Sequence, residues 1–180
     1  MTNKIKYVCV HHTAVSRKDQ PSQFYPVNRY HKEKWNMISE LGWYIGYNYF
    51  IGTNGVLTQT RNVGEETMAV VGHNHDTIHI CSAGNFLVEQ PTDEQDKTLI
   101  ELIKQIEKEY PGIEIKRHCE MQKGRTCPGF SRSYFDAIIL NEVHTTVPDK
   151  EDVEKAEQIK QMSSLLDKLR EQLLRLLNRI

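Results

Sequence analysis

This chain has no excess of charge of either sign. Lys and Arg number 23 against 24 Asp and Glu over 180 residues, a formal net charge of -1. A nucleic-acid binder usually carries a clear basic excess, so no nucleic-acid partner is expected. Long apolar runs are also missing, and no stretch is long enough to cross a bilayer. Met1-Thr2-Asn3-Lys4 leads straight into a strand-like segment, without the roughly 7–15-residue apolar core of a secretory signal. The expectation is a chain made and kept in the cytoplasm unless something else releases it. Cysteine is scarce: Cys9, Cys81, Cys119 and Cys127 are the full set. Without a signal sequence, reduced thiols are expected, one of them on a metal, rather than two disulfides. From Asp149 onward glycine, proline and aromatic residues vanish altogether.

What is present suits one compact domain with an appendage. An apolar content of 38% is enough for a single core. Ile5 to His11 reads as a buried strand, with Cys9 and His11 on one side and His12 on the other. Helical spacing follows over Val27 to Trp35. Gly46 to Ile51 and Val56 to Thr60 read as strands joined through the Asn54-Gly55 turn signal. Thr77 to Cys81 is a further strand. Thr92-Asp93-Glu94-Gln95 has the form of a capping box, opening a helix with Leu99, Leu102, Ile103 and Ile106 on one face that ends before Pro111-Gly112. Ile113 to Arg117 is a last strand, and Ser131 to Val143 a last helix. This alternation predicts an α/β fold with a mixed central β-sheet flanked by helices.

Three distant stretches carry residues that suit one zinc ion: Val10-His11-His12-Thr13, Arg117-His118 and Thr126-Cys127-Pro128-Gly129. Alone, a strand-end histidine is more often a hydrogen-bonding core residue than a ligand, and a cysteine is most often a small buried apolar one. Together, two imidazoles and a thiolate leave a fourth tetrahedral position for water. That is the pattern of a catalytic zinc, since structural sites are usually closed by four protein ligands.

The same stretches resemble the zinc-dependent N-acetylmuramoyl-L-alanine amidase and peptidoglycan-recognition-protein superfamily. The resemblance runs from about Lys4 to Ala137. Gly46-Tyr47-Asn48-Tyr49-Phe50 looks like its Gly-Tyr-Asn/His-Phe strand. Thr77-Ile78-His79-Ile80-Cys81-Ser82-Ala83-Gly84-Asn85-Phe86 resembles its Ser-Ile-Gly-Ile…Gly-Asn-Phe strand. The resemblance implies one zinc held by His11, His118 and Cys127, and peptidoglycan as substrate. It implies a tyrosine and a lysine as the second catalytic layer. Tyr47 matches the tyrosine, while Arg125 stands where the lysine falls. Arginine can stabilise an oxyanion but does not release its proton near neutral pH. A related branch uses a glutamate where this chain has Cys81, so no glutamate base is assigned. Arg61, His73 and Asn74 match loops that border the family's cleft and are expected to contact substrate. His31 reads as structural or surface, and Cys9 and Cys119 as packing residues beside the ligands.

The resemblance thus implies hydrolysis of the amide between N-acetylmuramic acid and L-alanine, in a phage or prophage endolysin. A bacterial recycling or autolytic amidase is the alternative enzyme. A non-catalytic peptidoglycan-binding module is the alternative from another class; recognition proteins that lose activity usually lack the zinc cysteine, which Cys127 supplies here.

The last stretch has its own pattern. Ile159, Met162, Leu166, Leu169, Leu173, Leu176 and Ile180 recur at intervals of three and four, a heptad seam. Leu165, Leu174 and Leu177 widen the apolar face beyond the need of a two-stranded dimer. A catalytic domain over 1–145 and an amphipathic or coiled-coil helix over 146–180 are expected, linked around 144–150. The helix is expected to form a homo-oligomer. A membrane-surface contact through Lys168, Arg170, Arg175 and Arg179, or simple packing on the domain, are its alternatives.

Overall fold

The computed structural model describes residues 5–140. The expected linker around 144–150 and the helix over 146–180 lie outside the described residues. The elements run β1 (Tyr7–His12), α1 (Phe24–Trp35), β2 (Tyr49–Ile51), β3 (Leu57–Gln59), β4 (Thr77–Ser82), α2 (Asp93–Glu109), β5 (Glu114–Arg117), α3 (His118–Met121) and α4 (Arg132–Ile139). The strands form one mixed sheet in the order β3-β2-β4-β1-β5. Only the β2–β3 pair is antiparallel; β1 pairs parallel with β4 and β5, and β4 parallel with β2.

Central position explains the composition of β1 and β4. Parallel strands covered on both faces read as near-continuous apolar runs, and Val8, Cys9, Val10, Ile78, Ile80 and Cys81 are all fully buried. One face carries Val8, Val10, Ile78 and Ile80, which pack with Leu99, Leu102, Ile103 and Ile106 of α2 and with Phe135 and Ile138 of α4. On the other face Phe50 and Cys81 cluster with Ile45, and Phe24 and Val27 of α1 pack against them. The sheet is therefore a middle layer between α2 with α4 and α1.

α2 begins where its sequence signal places it. The Thr92 side chain accepts from the Gln95 N–H, and the Gln95 side chain accepts in return from the Thr92 N–H. Its buried face also carries Gln95, whose Nε2 donates to the Ala83 carbonyl at 2.8 Å.

Two expectations shift. Gly46, Tyr47 and Asn48 precede β2 rather than belonging to it, because their backbone groups find irregular partners: Met68 N donates to Gly46 O, and Asn48 N to His79 O. The sequence expectation did not include α3, a single turn that starts at His118 directly after β5. So short a helix leaves no periodic pattern to read.

Candidate active site

The site sits at the C-terminal end of β1. Strand alternation sends consecutive side chains to opposite faces, and β1 uses both. His11 points toward Tyr47 and His79, with ring centroids 5.1 and 5.2 Å away. His12 points into the other face, where its Nδ1 accepts from the Phe86 N–H at 3.1 Å. Because β5 runs parallel beside β1, with Val10 opposite Arg117, the start of α3 carries His118 next to His11. Their ring centroids lie 4.7 Å apart.

Cys127 arrives from a loop. The Cys119 N–H donates to the Cys127 carbonyl at 2.9 Å, tying the loop to α3. The His12 N–H donates to Cys127 Sγ at 3.4 Å. Gly129 lets the loop lie down: at φ +97°, a Cβ there would meet the Phe86 backbone at 2.7 Å. Any side chain would push the loop away from the Phe86–Leu87 backbone.

The donor atoms of His11, His118 and Cys127 all lie within 4.8 Å of one another. Cys127 Sγ is 3.7 Å from His11 Nδ1, and His118 Nε2 donates to Gln122 Oε1 at 3.1 Å. A carbonyl oxygen only accepts, so His118 carries its proton on Nε2 and keeps the Nδ1 lone pair. Burial holds the His11 imidazole well below 6.5, aided by His79 and His118. Burial also lowers His118, against the opposing Gln122 hydrogen bond. Both are therefore neutral at pH 7 and free to donate lone pairs. Burial pushes the Cys127 thiol up to about 12, against the His12 N–H and Arg125, which lower it. A positive ion is the partner that favours its thiolate.

Tyr47 stands beside His11, and burial, then Cys81 and Cys127, raise its phenol well above 10. The ring keeps its proton at neutral pH and is a hydrogen-bond donor. Asn48 sets its position by clamping β4: Asn48 Oδ1 accepts from the His79 N–H at 2.8 Å, while its Nδ2 donates to Asn62 O at 2.9 Å. Arg125 is exposed on the loop before Cys127. Among the described residues its guanidinium has no ion pair, and its charge lowers both His118 and Cys127.

The other expected contacts, Arg61, Asn74 and His73, have partners within the chain. Arg61 is only 1 % exposed. Its Nε donates to Ile45 O at 2.8 Å, its two terminal nitrogens to Met37 O at 2.5 Å and Glu66 O at 3.2 Å, and Nη1 pairs with Glu65 at 3.3 Å. Asn74 Oδ1 accepts from Ala69 N and Val70 N, both at 3.0 Å, and closes that loop. Both side chains hold loops in place through these hydrogen bonds. The His73 ring packs edge-on against Tyr7 and pairs with Asp76 at 3.1 Å; its backbone carbonyl, not its imidazole, faces His79.

His31 is buried and structural, its Nδ1 accepting from the Gly46 N–H at 3.0 Å. Cys9 and Cys81 are buried free thiols, and Cys119 and Cys127 are partly buried free thiols. Sequence reasoning assigned no role to His79 or Gln122. Gln122 lies one helical turn after His118, in a helix too short to leave a sequence signal.

The family described as N-acetylmuramoyl-L-alanine amidase matches residues 1–130. Among solved structures, the chain is similar to the N-acetylmuramoyl-L-alanine amidase LysC from Clostridium intestinale URNW, at 25% identity and a TM-score of 0.63, covering 78% of this chain and 89% of that one. The Ph2119 endolysin from a Thermus scotoductus MAT2119 bacteriophage aligns at 24% identity and a TM-score of 0.61, over 74% and 83% of the two chains. The bumblebee recognition protein PGRP-SA shares the fold at 22% identity and a TM-score of 0.59, over 69% and 75%. No curated protein matches the sequence. With residues 1–130 of 180 matched, the protein belongs to the N-acetylmuramoyl-L-alanine amidase family.

Proposed function

We propose that this chain is a zinc-dependent N-acetylmuramoyl-L-alanine amidase that cuts the lactyl–L-alanine amide of peptidoglycan, and that it serves as a phage or prophage endolysin. The observation that carries the reading is the convergence of His11, His118 and Cys127 donor atoms within 4.8 Å, with the Tyr47 ring against His11. Two neutral imidazoles and a thiol form a donor set suited to zinc, and three ligands rather than four suit a catalytic site. A zinc ion bound there supplies Lewis acidity, polarising the scissile carbonyl and lowering the pKa of water.

The protein's own residues supply the rest. Tyr47 is protonated at rest and donates a hydrogen bond to the oxygen that gains charge as the amide is attacked. Arg125 adds a positive charge at the mouth of the site. Its guanidinium holds its proton near neutral pH, so the departing amine is protonated by Tyr47 or by water. As an endolysin the chain acts on the wall after another protein opens the membrane.

The test is clearing of purified cell walls, followed by assay of newly freed L-alanine amino groups. The expected result is clearing that stops with a chelator and returns with zinc. Binding to the walls without release of amino groups sinks the enzymatic reading in favour of a recognition module.

A further inference from the structure

His79 stands on β4 opposite Cys9 of β1, on the face that carries His11. Its Nδ1 lies 3.0 Å from His11 Nε2. Its Nε2 lies 3.4 Å from the His73 carbonyl oxygen. Both rings are sealed from solvent, at 1 % exposure for His11 and 0 % for His79. Burial disfavours imidazolium, and two touching buried rings cannot both be charged.

These contacts determine where each proton sits. The His73 carbonyl only accepts, so His79 carries its hydrogen on Nε2. A neutral imidazole has one donor and one acceptor nitrogen, so His79 Nδ1 accepts. His11 Nε2 must then be the donor in the pair. That leaves His11 Nδ1 as a bare lone pair, on the side where Cys127 Sγ lies 3.7 Å away. We infer that His79 is a positioning residue that fixes the tautomer and ring orientation of His11, holding Nδ1 ready for a metal ion. The inference rests on the zinc reading of the site.

The backbone makes His79 a rigid support. Asn48 holds it from both sides: the His79 N–H donates to Asn48 Oδ1 at 2.8 Å, and the Asn48 N–H donates to the His79 carbonyl at 3.0 Å. The same Asn48 anchors Tyr47, its neighbour in the chain, so one clamp sets both groups that flank His11. The motif that this strand resembles carries glycine where this chain has His79, and glycine has no side chain to accept from His11. Partners of this kind, which take the second proton of a ligating histidine, are worth roughly 10–100-fold in metal affinity.

The same atoms also form a second donor set. Cys9, His11 and His79 also place one donor atom each within 4.8 Å, so a second metal ion could take the place of the His11–His79 hydrogen bond. The experiment separates the two. Zinc affinity and stoichiometry are measured by competition with a chromophoric chelator for the full chain and for His79→Leu and His79→Asn. Nitrogen-correlated NMR of the metal-free protein reads the His11 tautomer directly. The expected result is one zinc per chain, a His11 proton on Nε2, roughly 10–100-fold weaker binding in His79→Leu, and near-native binding in His79→Asn, whose Oδ1 replaces the lost acceptor. A His11 proton on Nδ1, two zinc ions per chain, or unchanged affinity in His79→Leu would overturn it. If His79→Leu fails to fold, the tautomer of the native chain still decides. Failure of the native chain to bind zinc overturns the zinc reading as well, which native binding with indifferent His79 variants does not.

Discussion

The backbone N–H of His12 points at the sulfur of Cys127, 3.4 Å away, while the ring of the preceding residue faces the same sulfur at 3.7 Å. Two neighbouring residues at the end of β1 thus hold Cys127 from two directions, one by main chain and one by side chain. Both contacts place the sulfur at the end of β1, beside His11.

Metal content follows from that geometry. His118→Ala and Cys127→Ala each leave two protein ligands, and the double variant leaves one. Elemental analysis should find one zinc per native chain and almost none in the double variant. Full occupancy in the double variant would refute the ligand assignment.

Tyr47 is expected to act on the transition state alone. Tyr47→Phe keeps the ring against His11 and removes only the hydroxyl, so zinc content and melting temperature stay close to native. Loss of one such donor typically lowers kcat by roughly 10²–10³-fold. An unchanged kcat on a soluble muropeptide returns Tyr47 to a packing role. Arg125→Lys keeps the positive charge and should retain activity; a collapse there shows that guanidinium geometry is used.

Arg61 is predicted to matter for stability and not for binding. Its guanidinium holds the carbonyls of Met37, Ile45 and Glu66 together in the interior. Arg61→Ala strips those carbonyls of a buried charged donor, a loss on the order of 3 kcal/mol. Chemical denaturation should show it. A fully stable variant with weakened wall binding would restore the substrate role.

Asp96 gives a pH signature. It lies under α4, hydrogen-bonded to the Tyr134 hydroxyl, and its Oδ1 has no partner among the described residues. Burial, opposed by Tyr134 and aided by Asp93, raises its carboxyl from 3.8 to about 6. Between those values the folded chain holds a proton that the unfolded chain has lost, so this group's contribution to stability falls as pH rises through the window. Asp96→Asn mimics the protonated form. The melting temperature of the variant minus that of the native chain should be more positive at pH 7.5 than at pH 4. An equal difference at both values shows that Asp96 titrates normally.

The heptad seam from Ile159 to Ile180 predicts self-association. Light scattering should give a mass of several chains for the full sequence and one chain for a form ending at Pro148. The shortened form should still cleave soluble muropeptides, because every proposed catalytic residue precedes it. Two monomers would rule out association through this segment.

Local rules and short motifs made much of this protein legible from its sequence. Alternation along β1 by itself puts His11 and His12 on opposite faces. The side-chain chemistry of Thr92 and Gln95 marked the start of α2. His11, His118 and Cys127 stood out because two imidazoles and a thiol in that order suit a zinc ion with an open position. Tertiary structure decided what depends on register between distant strands. His79 meets His11 only because β4 lies parallel to β1 with Cys9 opposite His79, and no local pattern carries that pairing. Arg61 looked like a free cation at a cleft, and its burial became visible only once the carbonyls of Met37, Ile45 and Glu66 closed around it. A sequence states which groups a residue offers; the fold decides which partners take them, because hydrogen bonds and burial are satisfied across the chain and not along it.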